Sequence, residues 1–329
     1  MRRFAGSTVW LIRAAVLTWT LIGCLSFAQA EGGLSDAKLR VALLPILDVL
    51  PFHVAEAMGY FNRCGVDVEA VPVASAIERD QLMQSGQIDG MLTEINTTAA
   101  FNRRGPLVRI VRLARVAYPD FPLFRILSSP GSMIRSPADL KGVGIGLARN
   151  TVVEYVTDRL MAAKGLPQER IVKLSVPVIP ERFQLLMQGK VKAAVLPDPL
   201  ARSAMEAGAM EVMADSEFPR YGVSVLAFNV RSLEEKGDEV RRFLSAWDEA
   251  AARINKNPEE TRPVLLEKIP MPENVRTAYR IPPYPRNGVP SREQWEDVLM
   301  WMRERNLLEG RLSYKDSVTA EFLETGSVK

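Results

Sequence analysis

The sequence has little of what metal sites, disulfides and cysteine nucleophiles need. Its 329 residues include one histidine, His53, and two cysteines, Cys24 and Cys64. A single histidine without clustered cysteines does not make a His/Cys metal site. A catalytic cysteine requires a histidine brought close to it. If Cys24 is removed with a leader, Cys64 is the only thiol left and no disulfide can form within the chain. We therefore predict no metal, no cofactor and no nucleophilic active site.

Long apolar runs are also scarce, since the one notable run lies at the start of the chain. Three arginines precede or enter an apolar stretch from Ala14 to Phe27, which ends in the small-x-small sequence Ala28-Gln29-Ala30. This arrangement is typical of a secretory signal peptide over residues 1–30. Cys24 closes a Leu-Ile-Gly-Cys sequence that resembles a bacterial lipobox, so lipidation at Cys24 is the alternative to cleavage before Glu31.

Excess charge of either sign is absent once the leader is set aside. The leader contains Arg2, Arg3 and Arg13 and no acidic residue, so basic and acidic residues balance in the remainder. A neutral chain gives no reason to expect binding to nucleic acid or to an anionic membrane surface. The sequence "GVGIGL" over 142–147 lacks the last glycine of a dinucleotide fingerprint, and no Walker lysine motif occurs.

One pattern occurs twice. A strand over 39–45, a helix ending at Gly65, a strand, a second helix and a third strand are repeated about a hundred residues later. The two segments "LMQSGQIDGML" and "LLMQGKVKAAVL" align closely, and Gly86 corresponds to Gly189. Strands that alternate with helices indicate parallel sheets. Two copies predict two α/β lobes, and ligands of such sheets bind beyond the carboxyl ends of the strands.

The rest of the chain is predicted from local signals. Residues 50–65 favour one helix, in which Gly59 allows close packing against a neighbour and Tyr60 and Phe61 fix the last turn. Val240, Phe243, Leu244, Trp247, Ala251 and Ile254 form an apolar helical stripe, followed by a capped helix with Trp295, Leu299 and Met302 on one face. Residues 106–129 are extended and are expected to form a hinge strand.

Several of these segments resemble a known family in order and spacing. "LPFHVAEAMGYFNRCGVDVEAV", "GQIDGM", "SPADLKGVGIGLARNT" and "WEDVLMWMRERNLL" are similar to segments of the nitrate/sulfonate/taurine solute-binding proteins, which belong with the pyrimidine-precursor-synthase-like proteins. The resemblance covers nearly the whole mature chain. It implies a two-lobed type II periplasmic binding protein fold with a mostly parallel sheet in each lobe, flanked by helices, and a helical C-terminal segment. It also implies delivery of a small solute to an ABC importer.

We predict lobe 1 from residues 38–128 together with 224–329, and lobe 2 from residues 129–223. The ligand-binding candidates are the polar or helix-starting residues at the strand ends that face the cleft: Asp48, Pro51, Ser75, Thr93, Glu94, Arg149, Asn150, Thr151 and Asp198. Structural roles compete for several of them. Ser75, Asn150 and Thr151 are natural helix caps, Asp48 and Asp198 suit turns, and Arg149 is within reach of Glu154.

Three acidic residues at cleft-facing turns argue against a bare sulfonate or nitrate, whereas Arg149 beside a helix N-terminus argues for an anionic group. The sequence therefore favours a nitrogen-containing or zwitterionic solute, with a sulfonate-like solute as the other option. We expect a periplasmic, monomeric, non-enzymatic binding protein, with a permease and a separate ATPase subunit as partners and a lipid anchor as its only membrane attachment. The alternatives are an enzyme related to pyrimidine-precursor synthases and a periplasmic sensor partner. The residues do not match the reactive histidine and cysteine-rich motif that the enzyme resemblance implies.

Overall fold

The computed structural model describes residues 38–324. The predicted signal peptide over residues 1–30 and the lipidation candidate Cys24 lie outside the described residues. Within the described part of the chain, no helix is both long and apolar enough to cross a membrane.

The described strands form two five-stranded sheets of the same design. The first sheet has the order β2-β1-β3-β10-β4 and the second has the order β7-β6-β8-β5-β9. In each sheet four strands run in one direction and the fourth strand in the order, β10 or β5, runs antiparallel to both neighbours. The strands are β1 Leu39–Leu43, β2 Val68–Pro72, β3 Gly90–Thr93, β4 Val108–Val116, β5 Phe124–Ser128, β6 Gly144–Leu147, β7 Val172–Ser175, β8 Ala193–Pro197, β9 Met210–Ala214 and β10 Val223–Asn229.

Helices connect the parallel strands and build the C-terminal part of the described chain. They are α1 Leu50–Ala57, α2 Tyr60–Arg63, α3 Ala76–Gln84, α4 Ile95–Phe101, α5 Val152–Ala163, α6 Ile179–Met187, α7 Leu200–Glu206, α8 Val230–Glu235, α9 Gly237–Lys256, α10 Arg262–Lys268, α11 Arg292–Glu304 and α12 Tyr314–Ser317. The predicted duplication is confirmed, because each β-α-β-α-β copy becomes one sheet with its helices. We call the first sheet with its helices lobe 1 and the second sheet with its helices lobe 2.

The predicted hinge strand is two strands in two different sheets. β4 belongs to the first sheet, whereas β5 pairs with β8 and β9 in the second sheet. The predicted end of lobe 1 at residue 128 is therefore wrong for this strand, because the first crossing between the sheets takes place earlier, at residues 117–123. The return crossing occupies residues 215–222, between β9 and β10.

The helix predicted over residues 50–65 is broken at Gly59. Gly59 has a φ of 69°, a left-handed conformation that separates α1 from α2. A β-carbon at Gly59 would meet no atom within 4 Å, so the prediction of close packing there was wrong. Phe61 packs on Phe52 and stacks on Phe243 at a ring-centroid distance of 5.6 Å. The glycine is needed for its backbone conformation, and the aromatic residue fastens α2 to α9.

The two predicted apolar stripes are both buried. The α9 stripe packs against α1 and α2, and the capping box of Ser291 and Gln294 opens α11 as expected. However, α11 does not belong to lobe 1 alone. It packs against α4, and its Trp301 donates a hydrogen bond of 2.8 Å to the carboxylate of Asp158 in α5. Helix α11 therefore contacts both lobes.

Candidate functional site

The predicted site residues all lie at the carboxyl-terminal edges of the two sheets. In lobe 1 they follow β1, β2 and β3, and in lobe 2 they follow β6 and β8. This is the edge at which open α/β sheets bind their ligands. The position of these residues in the fold agrees with the expectation, and their contacts then divide them into different roles.

Three of the candidates serve helix starts. The hydroxyl of Ser75 accepts a hydrogen bond from the N–H of Glu78 at 3.2 Å and caps α3. Thr151 caps α5 by accepting a hydrogen bond from the N–H of Val153 at 3.2 Å. Pro51 is buried in the first turn of α1, where its missing N–H costs no helical hydrogen bond. Each of these residues holds a helix start at the edge of the sheet.

Arg149 and Asn150 form an exposed turn that is held in place by hydrogen bonds to Lys173 and Glu154. Asn150 has a φ of 61°, and its backbone N–H donates to Glu154 at 2.6 Å. Glu154 in turn accepts from Lys173 at 2.9 Å. The guanidinium of Arg149 donates to the carbonyl of Lys173 at 2.9 Å rather than pairing with Glu154. The buried Lys173–Glu154 pair therefore fixes the turn that carries both candidates.

Glu94 is the N-cap residue of α4 and lies half-buried beside a buried arginine. Its Oε2 accepts from Arg79 at 3.3 Å, from Thr97 at 3.1 Å and from Thr93 at 3.4 Å. Asp80 is a second carboxylate on Arg79, at 2.8 Å. Among the described residues, no donor reaches Oε1 of Glu94, which leaves one carboxylate oxygen for an additional partner.

Asp48 is paired with an arginine from β4. Arg115 Nη1 donates to Asp48 Oδ1 at 3.1 Å, and both side chains are buried or nearly so. Burial by itself lowers the pKa of Arg115, but attraction by Asp48, and more weakly by Tyr279, Tyr284 and Asp198, raises it above the ordinary value. Arg115 therefore remains charged.

Asp198 is paired with an arginine from β5. Arg125 Nε donates to Asp198 Oδ1 at 3.2 Å, and the hydroxyl of Tyr279 lies 3.4 Å from Oδ2. Arg125 also contacts Glu211. Asp198 lines a cavity of about 240 Å³ between lobe 2 and the segment that contains Asn274 and Tyr279.

These three pairs correct the argument about ligand charge. The sequence has three acidic residues and one arginine at the predicted cleft-facing turns, but in the structure Glu94, Asp48 and Asp198 each have an arginine partner. A carboxylate paired with a guanidinium does not require a cationic ligand. The sequence could not reveal the partners of Asp48 and Asp198, because Arg115 in β4 and Arg125 in β5 are 67 and 73 residues away from them along the chain.

A larger cavity of about 940 Å³ opens beside Glu94. Asn96 and Thr97 of α4 line it from lobe 1, Asn150 from lobe 2 and Trp301 from α11. Most of its wall comes from α3, α4, the turn after α4 and the α11 segment, and Asn150 is the one lining residue from lobe 2. The cavity contains one predicted candidate, Asn150, and adjoins another, Glu94, through Thr97.

The fold and this edge define a class of protein. Two duplicated α/β lobes, joined by two chain crossings and with their strand ends meeting at a shared site, form the fold of the periplasmic binding proteins. The model of the family described as "NMT1/THI5 like" matches residues 47–261 of this chain. The chain therefore belongs to the NMT1/THI5-like family, as the sequence resemblance predicted.

Solved structures of the same fold include transport proteins and an enzyme. The chain is similar to the ligand-binding component of an ABC-type import system from Staphylococcus aureus, with 13% identity, coverage of 87% of this chain and 98% of that one, and a TM-score of 0.74. It is also similar to the periplasmic aliphatic sulphonate-binding protein SsuA from Escherichia coli, with 17% identity, coverage of 90% and 96%, and a TM-score of 0.74. The chain is also similar to the desulfurization enzyme DszB, with 13% identity, coverage of 87% of this chain and 97% of that one, and a TM-score of 0.63.

At these identities the structural likeness establishes the fold alone. No curated protein matches the sequence. The Staphylococcus aureus structure contains zinc, but in residues 38–324 of this chain no group of three or more His, Cys, Asp or Glu side chains could hold a metal ion.

Proposed function

We propose that this protein is an extracytoplasmic solute-binding protein of an ABC importer. Two lobes close on a small organic solute and present it to a permease that works with a separate ATPase subunit. The observation that carries this proposal is the cavity of about 940 Å³ whose wall is shared by Asn96 and Thr97 of lobe 1 and Asn150 of lobe 2. A solute held by both walls would stabilise the closed arrangement of the lobes.

Glu94 supports a solute with an N–H donor. Its Oε2 is occupied by Arg79, Thr93 and Thr97, whereas Oε1 faces no donor among residues 38–324. A carboxylate oxygen next to the shared cavity is a natural acceptor for an amine or a ring N–H. We therefore retain the nitrogen-containing or zwitterionic solute, now on the ground of this free oxygen rather than on the number of acids.

We propose that binding is not followed by a reaction. His53 lies inside α1, where burial lowers its pKa, and its Nδ1 has no hydrogen-bond partner in the described part of the chain. Burial also raises the pKa of the Cys64 thiol at the end of α2. Recovery of the bound solute from the protein, chemically unchanged by mass spectrometry, is the expected result.

We further propose a periplasmic monomer that is released by cleavage after Ala30. Intact mass measurement of the membrane and soluble fractions should find Glu31 as the first residue. Detection of an acylated Cys24 would contradict cleavage after Ala30 and would show that the protein is lipid-anchored.

A thermal-shift screen of the mature protein tests the binding function. The panel contains sulfonates, amino acids, pyrimidines, polyamines and aromatic acids. A solute at 100 times its dissociation constant adds about 2.7 kcal/mol to the free energy of unfolding. We expect one chemical class to raise the melting temperature in a saturable way. If no class does so at millimolar concentration, the proposed function is wrong.

A further inference from the structure

The buried arginines of this protein are not all neutralised. In residues 38–324 four arginines are fully buried: Arg79, Arg112, Arg115 and Arg182. The first three have a carboxylate within 3.5 Å, which belongs to Glu94, Asp248 and Asp48 respectively. Arg182 in α6 has no carboxylate within 4.0 Å in this part of the chain. A buried charge without a counter-ion is costly unless another anion approaches it.

The internal repeat shows which carboxylate lobe 2 lacks. Arg79 and Arg182 occupy the same place in the two copies, because Arg79 donates to the carbonyl of Leu92 in β3 and Arg182 donates to the carbonyl of Val195 in β8. Two residues further along the strand, lobe 1 has Glu94, which accepts from Arg79. Lobe 2 has Pro197 at the corresponding position. The same guanidinium therefore has an internal counter-ion in lobe 1 and none in lobe 2.

The position of Arg182 is at the cleft edge of the second sheet. Its side chain passes over Gly146 in β6, where a β-carbon would lie 3.6 Å from Cγ of Arg182. Its Nη1 donates to the carbonyl of Val176 at 2.6 Å, directly after the end of β7. Among the described residues Nη2 has no hydrogen-bond partner. The hydrogen bonds to the carbonyls of Val195 and Val176 therefore hold the guanidinium next to the turn between β7 and α6.

That turn also presents free backbone donors. Val178 is the N-cap residue of α6, and no side chain caps the helix. The N–H groups of Ile179 and Glu181 in the first turn have no protein acceptor among residues 38–324, and Val178 is exposed. Unpaired N–H groups at a helix start favour an anion. The Glu181 side chain points to solvent and forms no ion pair with Arg182.

We propose that the turn between β7 and α6, with Arg182 beneath it, binds the anionic group of the solute, a sulfonate or carboxylate. This inference deepens the proposed function and depends on it. Lobe 2 supplies positive charge through Arg182 and the α6 N-terminus, and lobe 1 supplies the free Oε1 of Glu94. A zwitterion would bridge the two lobes by its opposite ends, and each lobe would recognise one of them.

Burial also lowers the pKa of Arg182 to about 10, since no carboxylate offsets the loss of hydration. An anion bound at the turn would restore the missing counter-ion. Removal of the positive charge should therefore weaken the binding of anions and leave neutral solutes unaffected. One charge-assisted hydrogen bond corresponds to about a tenfold to hundredfold change in affinity.

The test is calorimetric titration of the mature protein with ethanesulfonate, taurine and benzoate, with ethanesulfonamide as the uncharged match for ethanesulfonate. We expect at least one anion to bind the wild type and to bind R182Q at least tenfold more weakly. R182K, which keeps the charge, should retain most of the affinity. The control variant R112Q also removes a buried arginine, but one in β4 that pairs with Asp248, and should bind the anion as the wild type does.

A second variant keeps the arginine and adds the missing acid. P197E places a carboxylate where lobe 1 has Glu94 and should weaken anion binding about as much as R182Q does. This variant decides the question if R182Q does not fold. The inference is overturned if R182Q or P197E binds the anion like the wild type, or if only uncharged solutes bind. Binding of a neutral solute would leave the proposed function standing, whereas no binding of any solute would remove both.

Discussion

Asp215 and Gly222 are packed so closely that no side chain fits at Gly222. A β-carbon on Gly222 would lie 2.8 Å from Cγ of Asp215 and would overlap Oδ2. The same carboxylate accepts the N–H groups of Leu123 and Phe124 at 2.9 and 3.2 Å. Asp215 thereby ties the return crossing at residues 215–222 to the first crossing at residues 117–123.

G222A should destabilise the protein by about 1–3 kcal/mol, because the added methyl group must displace a buried carboxylate that accepts two backbone hydrogen bonds. Urea unfolding measures the change. G237A is the matched control, since a β-carbon there meets no atom within 4 Å and the residue opens α9. Equal stability of G222A and G237A would contradict the tight packing at the crossing.

Asp215 should also make stability depend on pH. Burial raises its pKa to about 7, against about 3.9 for an aspartate in the unfolded chain. Between these values the folded state binds more protons than the unfolded state, so stability from this group is lost as the pH rises through the range. The slope attributable to one proton is at most about 1.4 kcal/mol per pH unit.

D215N has no carboxyl group at this position and should lose that part of the pH dependence. Urea unfolding of both proteins between about pH 5 and pH 8 would reveal it as a wild-type advantage that shrinks as the pH rises. A constant difference across the range would mean that Asp215 is ionised throughout, held in that state by the N–H groups of Leu123 and Phe124.

Trp301 and Trp295 offer a paired test of the contact between α11 and lobe 2. Both are buried in α11, but only Trp301 donates from Nε1, to Asp158 at 2.8 Å, whereas Nε1 of Trp295 has no partner among the described residues. W301F should lose about 1–3 kcal/mol more than W295F, because it leaves a buried carboxylate short of one donor. Chemical unfolding of both variants measures this, and equal losses would show that the indole hydrogen bond contributes nothing.

Glu94 is predicted to bind a solute without being needed for folding. E94Q should weaken the affinity for a nitrogen-bearing solute by about tenfold, since a neutral amide replaces the carboxylate at Oε1. Arg79 keeps Asp80 as a counter-ion at 2.8 Å, so the variant should remain folded. E235Q, in the exposed Arg231–Glu235 pair of α8, is the control. Unchanged affinity in titrations of E94Q would remove Glu94 from the site.

The sequence by itself determined the architecture. The apolar stripes of α9 and α11 and the caps at Ser75 and Ser291 depend on residues a few positions apart, and the repeat is visible because two segments of the chain have the same order of local patterns. The sequence did not predict the break at Gly59, because a glycine fits both a packed helix and a left-handed turn. The apolar spacing also continues from α1 into α2 across the break.

Only the tertiary structure decided the electrostatics of the site. Arg115 and Asp48 are 67 residues apart and Arg125 and Asp198 are 73 apart, and no local pattern relates such partners. The sequence placed the acids at the right edge but assigned them to a ligand. Buried carboxylates require a partner, and arginines of α3, β4 and β5 supply one to Glu94, Asp48 and Asp198 respectively. The same folding left Arg182 without an acid, which residue spacing alone could not reveal.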